Sequence, residues 1–507
     1  MKLGKNYQIA IFVAIVLGYI SFRFWNLFDS CLFFDELFSL QAAKHSWETI
    51  FSFVAQDLIH PPLSYVFLKI WIGIGGESLI WLKLFPLTFS VISLIPFYLL
   101  CRELELDFWS KVFSLIFFAV NGCLIKYTQE VRMYSVLLCF GLFSIWLFVR
   151  YLNESKGLFW LIVLNILLVN THYFGWLIIF SELIAVLVLH REKLKQTLLM
   201  MAVTTLSFVP WLIQVWQAAQ INADYKQNLG WAERPNLATI YHFINDLFEP
   251  FYFQQTNIDR AETIFITAPL ILICVISTLL FVIDWKEVSE KKNIILLLIF
   301  IKVPIIIAFI ASWILPVSVW GTRHLIVAFP LLMIFFGVVL EKVKLKELKI
   351  VFISAIFFLI GLAFLVQIIR GNQKPVWCAW EEIAKDFQTT KRNGNIKLYV
   401  FEDQIAYHIW SNLGDNKNVK ITVVKGIEGL QEDTSYFLPR GFDEIKITDE
   451  NGFEGETFYI AFRDSKFNEL HPPLKNLTAR GYTIGEPKVF IAQGIQTFLV
   501  EIRKDGK

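Results

Sequence analysis

The sequence predicts a polytopic α-helical membrane protein that ends in a small soluble α/β domain. Two observations carry this prediction. Apolar runs of roughly 18 residues recur between residues 7 and 370, and as helices such runs can cross the ~30 Å hydrocarbon layer of a bilayer. Beyond residue 371 the composition turns soluble, and short runs rich in β-formers take over.

The overall composition agrees with that class. The chain has 507 residues, 56% of them hydrophobic, with 49 Phe; soluble domains average about 45–50% apolar. A net charge of +2 gives no electrostatic footprint for nucleic acid. The six cysteines (Cys31, Cys101, Cys123, Cys139, Cys274 and Cys378) show no paired spacing and lie mostly in apolar runs. Neither a disulfide framework nor a zinc site is therefore expected. The start, MKLGKNYQIAIFVAIVLGYI, resembles a signal sequence, but no small-residue cleavage site follows. It reads as a retained first span.

Spans are expected near 7–27, 79–100, 110–125, 134–150, 158–170, 172–190, 196–216, 263–283, 293–315, 325–340 and 349–370, about eleven by the length rule. The run 158–190 is too long for one crossing, so it folds as a hairpin at Asn170-Thr171-His172. The run 62–74 follows Pro61-Pro62, is too short to cross, and reads as an interfacial or re-entrant helix. That choice sets the side of every later loop. It places Arg102, Lys111, Arg150, Lys156, Arg191, Lys193, Lys195, Lys286, Lys291, Lys292, Lys342, Lys344, Lys346 and Lys349 inside with Lys2 and Lys5, as the positive-inside rule requires. A crossing at 62–74 would invert them. The expected organisation is a membrane module over 1–370, with outer loops 28–61 and 217–262, and an extracytoplasmic α/β domain over 371–507. In that domain KLYVFE (397–402), FYIAFR (458–463), KVFIAQ (488–493) and QTFLVEI (496–502) read as strands, and QIAYHIW as a helix.

Five polar clusters fall on the outer face of this topology. The first is Asp35-Glu36 inside the apolar stretch CLFFDELFSL. One reading makes Asp35 a helix N-cap with Glu36 in the first turn. The other makes them working acids, because carboxylates near the membrane cost free energy unless used. The second is His60, which the turn at Pro61-Pro62 does not need. The third is Gln129-Glu130-Val131-Arg132-Met133-Tyr134, where a cation sits outward against the charge bias. Arg132 is suited to a bidentate phosphate contact or to an ion pair with Glu130. The fourth is the hairpin with His172 and Tyr173, and the fifth is Arg323-His324 before a late span. Belt aromatics and headgroup snorkelling are the plain explanations of the last two. Two further charges, Glu182 and Lys302, fall inside spans and are left out of the site.

The ordered set of an Asp-Glu in the first outer loop, HPPL, QEVRMY, THYFG and an Arg before a late span resembles the GT-C class of membrane glycosyltransferases. It is similar to bacterial relatives of the protein O-mannosyltransferases (glycosyltransferase family 39) and of the lipid A aminoarabinose transferases. The resemblance covers roughly residues 7–340 and implies a GT-C-type fold. It also implies an inverting transfer of a monosaccharide from a polyprenyl-phosphate donor to a glycan, lipid or protein acceptor, outside a cell (inner or plasma) membrane; the charge bias is what makes the N-terminus cytoplasmic. Asp35 takes the place of the general base with Glu36 beside it. His60, Gln129, Glu130, Arg132, Tyr134, His172, Tyr173, Arg323 and His324 line up as donor-phosphate or substrate contacts. The metal site is open; a divalent cation held by outward acids is the one cofactor in view. A lipid-sugar flippase and an envelope polysaccharide polymerase or ligase are the alternatives. The former would show internal repeats and interrupted helices at the midplane.

Overall fold

The computed structural model describes residues 4–221, 232–252, 260–288, 291–371, 373–390, 395–414, 418–426 and 445–504. Parts of the expected outer loop 217–262 lie outside the described residues. In chain order the helices are α1 (Lys5–Phe24), α2 (Phe34–Lys44), α3 (Ile50–Asp57), α4 (Leu63–Gly75), α5 (Leu79–Ile92), α6 (Leu94–Glu103), α7 (Phe108–Val120), α8 (Gly122–Gln129), α9 (Tyr134–Glu154), α10 (Leu158–Thr171), α11 (Gly175–Leu189), α12 (Leu194–Ile221), α13 (Leu237–Phe248), α14 (Arg260–Ile283), α15 (Lys291–Ile314), α16 (Ala328–Glu341), α17 (Lys346–Arg370), α18 (Val376–Thr389), α19 (Asp403–Leu413) and α20 (Pro472–Ala479). Seven helical segments among the described residues are long and apolar enough to cross a membrane, and five apolar helices are shorter. This is a multi-pass membrane protein.

The chain forms two compact units. The first contains Met1–Leu27 and Ala42–Asn372, the second Phe28–Gln41 and Gln373–Lys507. Residues 28–41, read from sequence as part of the membrane module's first loop, thus cluster with the C-terminal region.

Within the first unit the apolar runs become helices close to their expected bounds, because hydropathy and length are local properties. Helix α4 is 13 residues long, only about 20 Å. It turns back into α5 through Gly75-Gly76. Gly76 has φ +80°, and a Cβ at Gly75 would lie 2.1 Å from the Trp81 ring, so both positions call for glycine. Across that turn Trp71 Nε1 donates to the Trp81 carbonyl (2.7 Å) and Trp81 Nε1 to the Trp71 carbonyl (2.8 Å). The expected span 110–125 instead ends at Val120. Asn121 leaves the helix, its Oδ1 caps α8 by accepting from Leu124 N (3.0 Å), and its Nδ2 donates to the Leu247 carbonyl (3.0 Å). Gly122 follows because a Cβ there would meet the Phe251 carbonyl oxygen at 2.1 Å.

The buried charges are satisfied locally. Arg23 is fully buried; it donates to Ser90 Oγ (3.0 Å) and to the last carbonyls of α7 at Phe118 and Ala119 (both 3.1 Å). These carbonyls have no partner inside their own helix, so Arg23 serves as their cap. Glu182 does not pair with Lys302, although α11 and α15 pack together; Lys302 is exposed. Glu182 instead joins Ser144 (2.9 Å) and Asn165 (2.9 Å), and Ser144 also reaches Asn165 Oδ1 (2.6 Å). This triangle links α9, α10 and α11. Glu182→Gln keeps both hydrogen-bonding ends and is expected to retain the thermal midpoint within 2–3 °C. Glu182→Leu strands Ser144 and Asn165 and is expected to cost about 1–3 kcal/mol. Thermal unfolding of the two variants in one detergent checks this.

The second unit holds a seven-stranded sheet: β1 (Ile396–Val400), β2 (Val419–Val424), β3 (Lys446–Thr448), β4 (Thr457–Asp464), β5 (Tyr482–Ile484), β6 (Lys488–Ala492) and β7 (Ile495–Lys504). The order is β3-β2-β1-β4-β7-β5, with β6 also on β7. β1 pairs in parallel with β2 and β4, and β4 is antiparallel to β7. Alternation along β1 sends Leu398 and Val400 into a core with Trp380, Ile383 and Ile405 of α18 and α19. Tyr399 enters the opposite core with Phe458, Leu474 and Leu477, which α20 covers.

The absence of a disulfide expected from the cysteine spacing is overturned here: Cys31 and Cys378 are bonded, 347 residues apart. Cys101, Cys123, Cys139 and Cys274 are free and buried. Spacing rules see neighbours in sequence, whereas this pair is brought together only by folding of the second unit.

Candidate active site

Four separate segments of the first unit bring six of the sequence-predicted residues together. His60 follows α3 at a turn opened by Leu58, whose φ is +61°. Arg132 and Tyr134 lie at the entry to α9. His172 ends α10, where Thr171 Oγ1 (2.8 Å) and Asn170 Nδ2 (2.9 Å) bond back to the carbonyls of Leu167 and Ile166 one turn earlier. Arg323 and His324 lie in a single 3-10 turn (Thr322–Leu325) before α16. That turn is held to α13 by Thr322 Oγ1, which donates to Asp246 Oδ2 (2.9 Å).

The three imidazoles form a row. The ring centroids of His60 and His172 are 5.3 Å apart, and those of His172 and His324 are 5.5 Å apart. Tyr134 lies 6.3 Å from His172, and the Arg323 guanidinium carbon is 6.0 Å from the Tyr134 ring centre. His60, His172 and Arg132 are buried, and His324 is half-buried. The backbone N–H of Phe174 donates to His172 Nδ1 (3.1 Å), so the neutral ring carries its proton on Nε2. His172 Nε2 is buried and has no hydrogen-bond partner among the described residues, and neither has His60 Nδ1. Asp57 Oδ2 is 3.8 Å from His60 Nδ1, too far for a hydrogen bond. His324 Nδ1 donates to the Val319 carbonyl (3.1 Å), which leaves Nε2 as the open nitrogen. The cluster therefore presents a buried N–H donor and two guanidinium groups: the donor set for an oxyanion.

Burial first, then the fields of Arg132, Arg323 and the neighbouring imidazoles, hold His60 and His172 well below the ordinary histidine range. Burial and the same arginines bring His324 down to about 3. In the unfolded chain a histidine titrates near 6.5. Between pH 6.5 and about 3 the unfolded chain therefore binds more protons than the folded one. The stability these groups contribute is fully present above pH 6.5 and is lost as pH falls, at up to about 1.4 kcal/mol per pH unit for each histidine. The thermal midpoint in detergent is expected to be level from pH 8 to 7 and to fall from pH 6.5 to 5. His324→Asn is expected to shallow that fall.

Other predicted contacts have local tasks. Gln129 Nε2 donates to the carbonyls of Arg23 (2.9 Å) and Trp25 (3.0 Å) and secures the end of α1. Tyr173 accepts from Trp211 Nε1 through its hydroxyl (3.2 Å) and pins the hairpin to α12. Glu130 caps the C-terminal end of α8 by position and contributes to the field at Lys126. Sequence reasoning passed over two cations here. Lys83 is buried and donates to the Gln129 carbonyl (3.3 Å). Lys126 lies over the rings of Tyr127 (5.0 Å) and Tyr252 (4.9 Å). Lys83 had a signal, a charge within an apolar run.

In the second unit, α2 begins at Phe34, so Asp35 is not its N-cap. Glu36 does the capping: its Oε2 accepts from Phe33 N (2.9 Å), the reach-back half of a capping box. Glu36 is 1% exposed, whereas Asp35 is half-buried. No group of three or more His, Cys, Asp or Glu among the described residues could hold a metal ion, so no step is derived through a divalent cation.

The helical membrane module and the small mixed-sheet domain are those of a membrane protein of the GT-C fold. Solved ArnT structures share it. ArnT from Cupriavidus metallidurans bound to undecaprenyl phosphate matches with a TM-score of 0.58 at 11% identity, over 98% of each chain. ArnT in the apo state matches with a TM-score of 0.51 at 10% identity, over 89% of this chain and 92% of that one. The oligosaccharyltransferase of Archaeoglobus fulgidus in the apo form has a TM-score of 0.47 at 14% identity, over 80% of this chain; the chain spans 64% of its length. No protein-family model and no curated protein matches the chain.

Proposed function

We propose that this protein is a glycosyltransferase that moves a monosaccharide from a polyprenyl-phosphate carrier to an acceptor outside the membrane. The fold shared with ArnT, whose structure holds undecaprenyl phosphate, supports the class. One observation carries the reading: two arginines and three imidazoles converge from four segments, with the His172 N–H buried and without a partner among the described residues. A buried donor without a partner costs about 1–3 kcal/mol, a cost that a bound phosphate oxygen would offset.

In this reading an acid takes the proton of the acceptor hydroxyl, a role for which the resemblance of the first loop to GT-C enzymes puts Asp35 forward. The freed oxygen forms a bond to the anomeric carbon from the face opposite the phosphate. The carbon–oxygen bond to phosphate breaks, and its electron pair leaves with the lipid phosphate. Arg132, Arg323 and the His172 N–H stabilise the charge gathering there. His60 and His324 complete the pocket wall, and Glu130 orients the acceptor.

The topology has independent support. Residues 28–41 and 373–507 share one unit, so the chain between them crosses an even number of times. Ten of the apolar helical segments after α3 satisfy this if α4 does not cross. A disulfide favours an oxidising compartment for that unit. These points support an extracytoplasmic C-terminal domain after a membrane module ending near residue 370, and a cytoplasmic N-terminus in the cell membrane.

The test uses purified protein in nanodiscs with a panel of undecaprenyl-phosphate-linked sugars and cell-envelope extract as acceptor. Release of free undecaprenyl phosphate from one donor is expected. No release, with lipid-sugar moving between leaflets instead, would replace the transferase reading by a transporter.

A further inference from the structure

We infer that the C-terminal domain is a positioning element for the acid-bearing loop, held to it by the Cys31–Cys378 disulfide and an aromatic seat; this rests on the catalytic reading of Asp35. Residues 25–33 lie in turns and irregular backbone, so no regular hydrogen-bond ladder directs the chain into α2. Three kinds of contact within the second unit do so instead. The disulfide joins Cys31, four residues before Asp35, to the first turn of α18. Trp377 Nε1 donates to the Cys31 carbonyl (3.2 Å). The Phe33 ring lies 5.9 Å from Trp377, and the Phe34 ring lies 4.9 Å from Tyr407 of α19, which is fully buried.

The consequence is geometric. Four residues of chain reach at most about 14 Å, and the aromatic seat acts on the residue next to Asp35. Misplacing a catalytic group by about 1 Å can cost roughly 100-fold in rate. Cys31, Trp377, Cys378 and Tyr407 are thus positioning residues; none of them is assigned a chemical step.

Three measurements on the full chain in nanodiscs test this. Alkylation of denatured, unreduced protein should label four of the six cysteines, leaving Cys31 and Cys378 unlabelled; labelling of all six overturns the proposal. In Cys31→Ser/Cys378→Ser, amide hydrogen exchange over 28–41 should quicken at least tenfold while the membrane helices stay unchanged. If the double variant does not fold, reduction of the folded wild type gives the same comparison. Phe34→Ala, which keeps the disulfide, should quicken exchange less. Turnover of the active undecaprenyl-phosphate donor should show kcat lowered at least tenfold with KM within twofold. Unchanged exchange, or quicker exchange with wild-type kcat, overturns the inference. Full activity in Asp35→Asn, or no turnover of any donor, would instead defeat the catalytic reading, and the exchange result would still decide whether the domain anchors the loop.

Discussion

Asp35→Asn is expected to lower kcat for undecaprenyl phosphate release by about 100- to 10,000-fold, the usual range for loss of a general base. Asparagine matches aspartate in size, so the variant should insert, fold and melt as the wild type does. Glu36 provides the control. Its side chain is buried and spends an oxygen on the Phe33 N–H. Glu36→Gln retains that acceptor and should keep most of the turnover. Glu36→Ala loses the cap, at about 0.5–2 kcal/mol, and should fray the first turn that carries Asp35. Steady-state release assays paired with thermal unfolding separate these cases. Near-normal turnover by Asp35→Asn would sink the base assignment, and loss of turnover in Glu36→Gln would move the chemistry to Glu36.

Arg132→Gln carries the second large effect. Hydrogen bonds to charged groups contribute about 1.5–3 kcal/mol each, so affinity for undecaprenyl phosphate should fall about 10- to 150-fold. Arg132→Lys should recover part of this, because an ammonium keeps the charge but not the planar fork. The histidines add a pH signature. Their protons are disfavoured by burial and by two guanidinium groups. A bound phosphate dianion opposes both effects and raises their proton affinity, so binding takes up protons and should tighten as pH falls from 7.5 to 6. This sign is opposite to that of the stability profile of the free protein. Calorimetry in two buffers of different ionisation enthalpy measures the uptake directly. Equal apparent enthalpies would show that the histidines stay neutral in the complex, and unchanged affinity in Arg132→Gln would remove Arg132 from the phosphate site.

Much of this protein is legible in the sequence because the deciding forces are local. Hydropathy over a helix length marked the apolar helices, and two prolines marked the start of the short helix after His60. The soluble composition beyond residue 371 announced the sheet domain, and β-branched and aromatic runs marked β1, β4, β6 and β7. Residues such as His60, Arg132, His172 and Arg323 stood out because local sequence rules gave these polar groups, on the expected outer face, no task.

What remained hidden was decided by contacts between distant segments. Asp35 and Glu36 are chemically alike on paper; only the start of α2 at Phe34 turned Glu36 into the cap. Gln129 looked like a substrate contact until the end of α1 took both its hydrogens. The pairing of Cys31 with Cys378 across 347 residues has no trace in spacing. Burial and hydrogen bonding are properties of the folded surroundings, so tertiary structure alone assigned these side chains their partners.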